Sequence, residues 1–102
     1  MALVLAGGRT WDGLADGLTS GDVVVEDGRI AADASSEAER IDVSGLTVMP
    51  GLIEAHAHLC FNADPDWRAV YDADSPGSML LRMGGYARRM LDAGITTVRD
   101  LG

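Results

Sequence analysis

A change of pattern at Pro50-Gly51 constrains the fold of this chain more than any other feature. Before it, short apolar runs alternate with turn signals. Ala2 to Ala6 is closed by Gly7-Gly8, and the segment Asp22 to Asp33 places Asp27-Gly28 between two strand-like runs. Asp-Gly signals a two-residue hairpin, because both central positions of that turn take positive φ. Ser44-Gly45 separates Ile41 to Val43 from Leu46 to Met49, and the polar stretch Ala34 to Arg40 reads as a surface loop. Residues 1–49 are therefore expected to form a small antiparallel β layer, a domain of their own.

After the step the pattern changes. Leu52 to Leu59 is an apolar run of strand length, interrupted only by Glu54, His56 and His58, which suits a strand covered on both faces. Cys60 to Asp74 is rich in Asp and aromatics and reads as a loop. Ser75-Pro76 then offers an N-cap and a first-turn proline to a helix with apolar residues at Met79, Leu80, Met83, Ala87, Met90 and Leu91. Arg88 and Arg89 suit its C-terminal dipole, Gly94 suits the position after its end, and Ile95 to Val98 reads as a second strand. Gly84-Gly85 costs such a helix about 1 kcal/mol per glycine relative to alanine, which predicts a bend or close packing there. Residues 50–102 are thus strand, helix, strand, the unit of a parallel α/β sheet or barrel.

Composition narrows the partners. The 102 residues carry a formal charge of −8, from sixteen acidic residues against eight arginines and no lysine. Nucleic acid and anionic membrane surfaces are poor partners for such a chain. No segment approaches the roughly 18 apolar residues of a membrane span. Cys60 is the only cysteine, so no internal disulfide forms, and the start MALVLAGGRTWDG lacks the features of a signal peptide. A cytoplasmic location is expected.

His56 and His58 are the only histidines. In a strand they share one face with Leu52 and Glu54, while Ile53, Ala55, Ala57 and Leu59 form a wholly apolar opposite face. In a barrel the apolar face would pack on helices and the histidines would point inward near the strand's C-terminal end, where both imidazoles can reach one divalent cation. By itself, His-x-His more often marks two hydrogen-bonded interior histidines than a metal site.

The flanking sequence alters that balance. PGLIEAHAHL, preceded by IDVSGLTVMPG and followed by AGITTVRDLG, resembles the first-strand signature of the amidohydrolase superfamily, on the side of its imidazolonepropionase-like proteins and Xaa-Pro or Xaa-Arg dipeptidases. The resemblance implies an α/β fold: the N-terminal part of a small β-sandwich, followed by the first β-α-β unit of a TIM-like (β/α)8 barrel, incomplete in this chain. It implies that His56 and His58 ligate the more buried of one or two divalent metal ions, zinc being the usual choice. Glu54 stands where the family more often has aspartate, which leaves it a structural role. Cys60 is expected as a small apolar filler past the strand end. Trp67 and Tyr71, in the loop over the barrel mouth, and Asp100, after the second strand, are candidate substrate-binding residues. Plainer roles stand beside these: anchors of an acidic loop for the aromatics, and an Arg99–Asp100 pair at the strand end.

A hydrolytic zinc site needs three protein ligands and an open position. The resemblance places the others, a bridging carboxylate or carboxylated lysine, two further histidines and an aspartate, on later strands, and this chain has no lysine and no further histidine. The expected catalytic groups therefore lie outside these residues. The resulting expectation is the N-terminal part of an enzyme that cleaves a small amide such as a dipeptide, an N-acyl amino acid or a cyclic amide, completed by a second polypeptide in an oligomer. The alternative is a non-catalytic fragment or interaction module that pairs with a barrel partner through its strand edges.

Overall fold

The computed structural model describes all 102 residues, which divide into two compact units, Met1–Pro50 and Gly51–Gly102.

The first unit contains seven short strands: β1 (Ala2–Ala6), β2 (Arg9–Thr10), β3 (Thr19–Ser20), β4 (Val23–Glu26), β5 (Arg29–Ala31), β6 (Glu39–Asp42) and β7 (Thr47–Val48). They form a four-stranded sheet in the order β5-β4-β1-β6 and a three-stranded sheet in the order β3-β2-β7. Asp27 and Gly28 join β4 to β5 with φ of 49° and 75°, the two positive values that a tight hairpin requires. Val4 pairs directly with Val24, and these are the buried apolar residues of the unit, Val4 being 1% exposed. Two branched side chains opposite each other on one sheet face are the usual unit of sheet stabilisation.

The expected single antiparallel layer is corrected here. β1 pairs β6 in parallel and β2 pairs β7 in parallel, so both sheets are mixed. Hairpin signals report which neighbours fold back on each other, but these parallel pairs join strands separated by long stretches of chain. The loop expected over Ala34 to Arg40 is also shorter, because Glu39 and Arg40 enter β6. An edge strand tolerates polar residues on both faces, and Arg40 is held there by an ion pair with Asp22 at 2.8 Å.

The second unit is β8 (Leu52–Ala57), α1 (Trp67–Ala73), α2 (Pro76–Asp92) and β9 (Ile95–Asp100), with β8 and β9 parallel. The helix signals around α2 act as read: the Ser75 hydroxyl accepts from Ser78 N–H, Pro76 opens the helix, and Gly94 N–H donates to the Leu91 carbonyl at its end. Pro50-Gly51 has a steric reason too. A Cβ on Gly51 would stand 2.7 Å from Thr96 Cβ and nearer still to its branches, so β9 approaches β8 there only because residue 51 has no side chain.

Four expectations change. The strand stops at Ala57 rather than Leu59, leaving His58 just beyond its end. The supposed loop of Cys60 to Asp74 contains α1, whose Trp67, Val70 and Tyr71 share a face at helical spacing that the surrounding aspartates obscured. A strand covered on both faces is not what β8 is within these residues: Ile53 is 72% exposed, and only Ala57 is buried. Close packing at Gly84-Gly85 is likewise not met, since a Cβ at either would meet nothing within 4 Å.

Candidate metal centre

His56 lies on β8 and His58 immediately after it, and the alternation of the extended backbone brings their rings together. The centroids are 5.1 Å apart with planes at 64°, and the two Nε2 atoms face each other at 3.2 Å. Two lone pairs at that distance repel, so either a proton or a cation has to lie between them. Two imidazoles on one tetrahedral zinc, each at about 2.0–2.1 Å, have their nitrogens about 3.3–3.4 Å apart. The observed separation fits that edge closely.

The surrounding chain holds the backbone of His56 and the ring of His58. Glu54 Oε1 accepts the His56 backbone N–H at 3.0 Å, which turns this carboxylate toward the strand backbone. His58 Nδ1 lies 2.7 Å from a main-chain oxygen of Gly102. An oxygen of this kind only accepts, so the contact is made by a proton on Nδ1, and in that tautomer the lone pair falls on Nε2. Phe61 packs its ring on His58 with centroids 5.1 Å apart.

These groups line a cleft of about 580 Å³ whose walls include Glu54, His56, His58, Phe61, Tyr86 and Arg89. Trp67 and Tyr71, expected as substrate contacts, are not among its lining residues. They pack on Phe61 instead, with centroids at 4.5 and 5.3 Å, and so buttress the ring that touches His58. Asp100 is not in the lining either: its Oδ1 accepts the Gly102 N–H at 2.9 Å. The Arg99–Asp100 pair considered from the sequence does not form among the ion pairs of the structure, because Asp100 turns back on its own chain. Cys60 is half-buried beyond the end of β8.

Sequence reasoning missed Tyr86 and Arg89. Arg89 reads from the sequence as a partner for the helix dipole, yet its guanidinium stands 5.9 Å from the Tyr86 ring centre on the cleft wall. Their three-residue spacing on α2 is the only sequence signal that they share a face. No group of three or more His, Cys, Asp or Glu side chains is placed to hold a metal ion.

The chain is 36% identical over 85 residues to an imidazolonepropionase of Micrococcus luteus, a match covering 78% of this chain and 19% of that protein. Among solved structures it superposes over its full length on an amidohydrolase, with TM-score 0.83 and 33% identity, and on a prolidase complexed with N-methylphosphonate-L-proline, with TM-score 0.84 and 30% identity. It covers 26% of each of those chains. No family model matches. The chain thus spans about a fifth to a quarter of the proteins it matches, and its fold is that of the opening segment of a hydrolase barrel: the first part of a small β-sandwich and the first β-α-β unit. It belongs to the amidohydrolase superfamily. The relatives are hydrolases acting on C–N bonds.

Proposed function

We propose that these residues form the N-terminal part of a metal-dependent amidohydrolase that cleaves a small amide, whether a dipeptide, an N-acyl amino acid or a cyclic amide. His56 and His58 hold the cation, zinc, through their Nε2 atoms. The observation that carries this reading is the 3.2 Å separation of those atoms. A divalent cation at this point supplies the Lewis acidity that makes water nucleophilic at neutral pH and polarises the amide carbonyl.

The chain's own residues do the rest that falls to this segment. Glu54 holds the backbone of His56, Phe61 covers one side of His58, and Tyr86 and Arg89 add an aromatic and a cationic surface to the cleft. The proton-transferring carboxylate and the remaining ligands come from a second polypeptide that completes the barrel. Exposed apolar residues on β8 and α2, Leu52, Ile53, Leu80 and Leu81, supply surface for that docking. The single free cysteine fits a reducing cytoplasm.

The test is reconstitution. The chain is mixed with the polypeptide carrying the other barrel strands, and zinc content and hydrolysis of a dipeptide panel are measured. Replacing His56 and His58 with alanine should remove the metal and lower turnover by at least a thousandfold. Undiminished turnover in the double variant would overturn the assignment. A stoichiometric complex that holds no metal and shows no turnover would instead favour an interaction module, the reading supported by the absence of a third ligand in this chain.

A further inference from the structure

We infer that Glu54 is a positioning residue for the metal centre: its carboxylate clamps a β-bulge in β8, and the clamped bulge aims the His56 ring at His58. This deepens the metal-binding reading above and rests on it for its purpose, while the clamp itself belongs to the chain without metal. The register of β8 and β9 is the starting point. Glu54 stands opposite Val98, and regular pairing from there would set His56 opposite Asp100, but the residue found there is Ala57. β8 therefore carries one extra residue, at Ala55–His56. An earlier shift has the opposite sense: Leu52 faces Ile95 and Ile53 faces Thr97, so Thr96 is the extra residue on β9. The bulge in β8 brings the register back.

A bulge interrupts the ladder, and a backbone N–H released there needs another acceptor. The Glu54 carboxylate supplies it. Its Oε1 accepts the His56 N–H at 3.0 Å, across a single intervening residue. A bond at that point holds the peptide between Ala55 and His56, and with it the direction in which the His56 side chain leaves the strand. Bulges next to functional sites commonly re-aim a side chain in this way. Here the re-aimed ring brings its Nε2 to 3.2 Å from that of His58. Glu54 acts through the backbone and as an acceptor only, so the arrangement uses its oxygen and not its charge. That separates it from a third ligand or a proton carrier, both of which need the carboxylate.

The experiment compares Glu54→Gln with Glu54→Ala in the 15N-labelled, metal-free chain, and then titrates each with zinc alone. In the unaltered chain the His56 amide should exchange slowly, and nuclear Overhauser contacts should join the two imidazole rings. Glu54→Ala should speed exchange at His56, remove the contacts between the rings and weaken zinc binding roughly 10- to 100-fold, the usual range for loss of such a supporting contact. Glu54→Gln keeps an acceptor oxygen and should preserve all three.

A His56 amide that exchanges as fast as a free one in the unaltered chain would overturn the inference, whether or not either variant folds. So would a Glu54→Ala chain with unchanged ring contacts and zinc affinity. Failure of Glu54→Gln to the same degree as Glu54→Ala would overturn it too, because a ligand or a proton carrier gives that result. If the unaltered chain binds no zinc, the metal reading falls for these residues alone, and exchange at His56 with the ring contacts still decides whether Glu54 clamps the bulge.

Discussion

Met1–Pro50 and Gly51–Gly102 are nearly equal in length but differ in how far each buries its apolar residues. In the first, Val4 and Val24 are sealed as a cross-strand pair inside a four-stranded sheet. In the second, two strands carry one helix, Leu81 is 82% exposed, and an apolar gap of about 200 Å³ lies between α2 and β9, lined by residues such as Ala87, Leu91, Ile95 and Val98. The difference separates two uses of an apolar pattern. One is satisfied by strands that the same fifty residues provide. The other, on the proposal above, is written for surfaces brought by the completing polypeptide.

The largest expected effect tests that contrast directly. Val4→Ala should destabilise the chain by about 2 kcal/mol in urea unfolding, from lost burial and the cavity left behind. Ile53→Ala should cost less than about 0.5 kcal/mol in the same measurement, because an exposed side chain has little burial to lose. In the reconstituted complex the second value should rise, read as weaker association. Equal costs in the isolated chain would break the comparison. An Ile53→Ala variant that associates normally would remove β8 from the docking surface.

Gly51→Ala sharpens it from the other side, since the second unit depends on one close backbone approach rather than on a buried core. Rotation of Thr96 moves its branches but not its Cβ, so the added methyl must push β8 and β9 apart. The expected cost is about 1–3 kcal/mol, typical of forced overpacking, with loss of the Leu52 N–H bond to the Gly94 carbonyl visible as faster amide exchange. Unchanged exchange at Leu52 would show that the junction yields more easily than its geometry indicates.

The same asymmetry explains what the sequence made legible. Features with a local cause were readable: the Asp27-Gly28 turn, the Ser75-Pro76 helix start, and the parity that puts His56 and His58 together. Features decided by partners distant in sequence were not. Nothing near β1 says that its second neighbour is β6, in parallel. Asp100 looked like a partner for Arg99 or a substrate because its true acceptor role depends on the chain reversing at Gly102. Trp67 and Tyr71 were recognisable as aromatics near the site, but only the tertiary placement of Phe61 shows that they pack on it and not in the cleft wall. Strand alternation alone favours ordinary interior histidines, and only the family signature turns the reading of His56 and His58 toward a metal site.

The smallest effect is electrostatic and falls on the first unit. Asp22 accepts the Gly7 N–H at 3.0 Å and the Arg40 guanidinium at 2.8 Å, and these contacts, the backbone one foremost, hold its carboxyl below the ordinary 3.8. Asp42 is lowered by the Ser44 hydroxyl and then by the Ser44 N–H, and Asp12 by the N–H groups of Ala15 and Leu14. A carboxyl whose folded pKa lies below its unfolded value binds fewer protons when folded. Its stabilisation is therefore fully present above the unfolded value and is lost as pH falls through the folded one. The turns of residues 1–50 should loosen below about pH 4, where unfolded aspartates take up protons. Amide exchange at Gly7 and Ser44, followed from neutral pH downward, should accelerate in that window. Asp22→Asn keeps an acceptor but removes the titration, so Gly7 should lose its acid sensitivity while Ser44 keeps its own. All three carboxylates are exposed to solvent and screened, which is why this change ranks below the steric ones. If Gly7 retains the same acid response in Asp22→Asn, the contact with Asp22 is not what anchors the turn after β1.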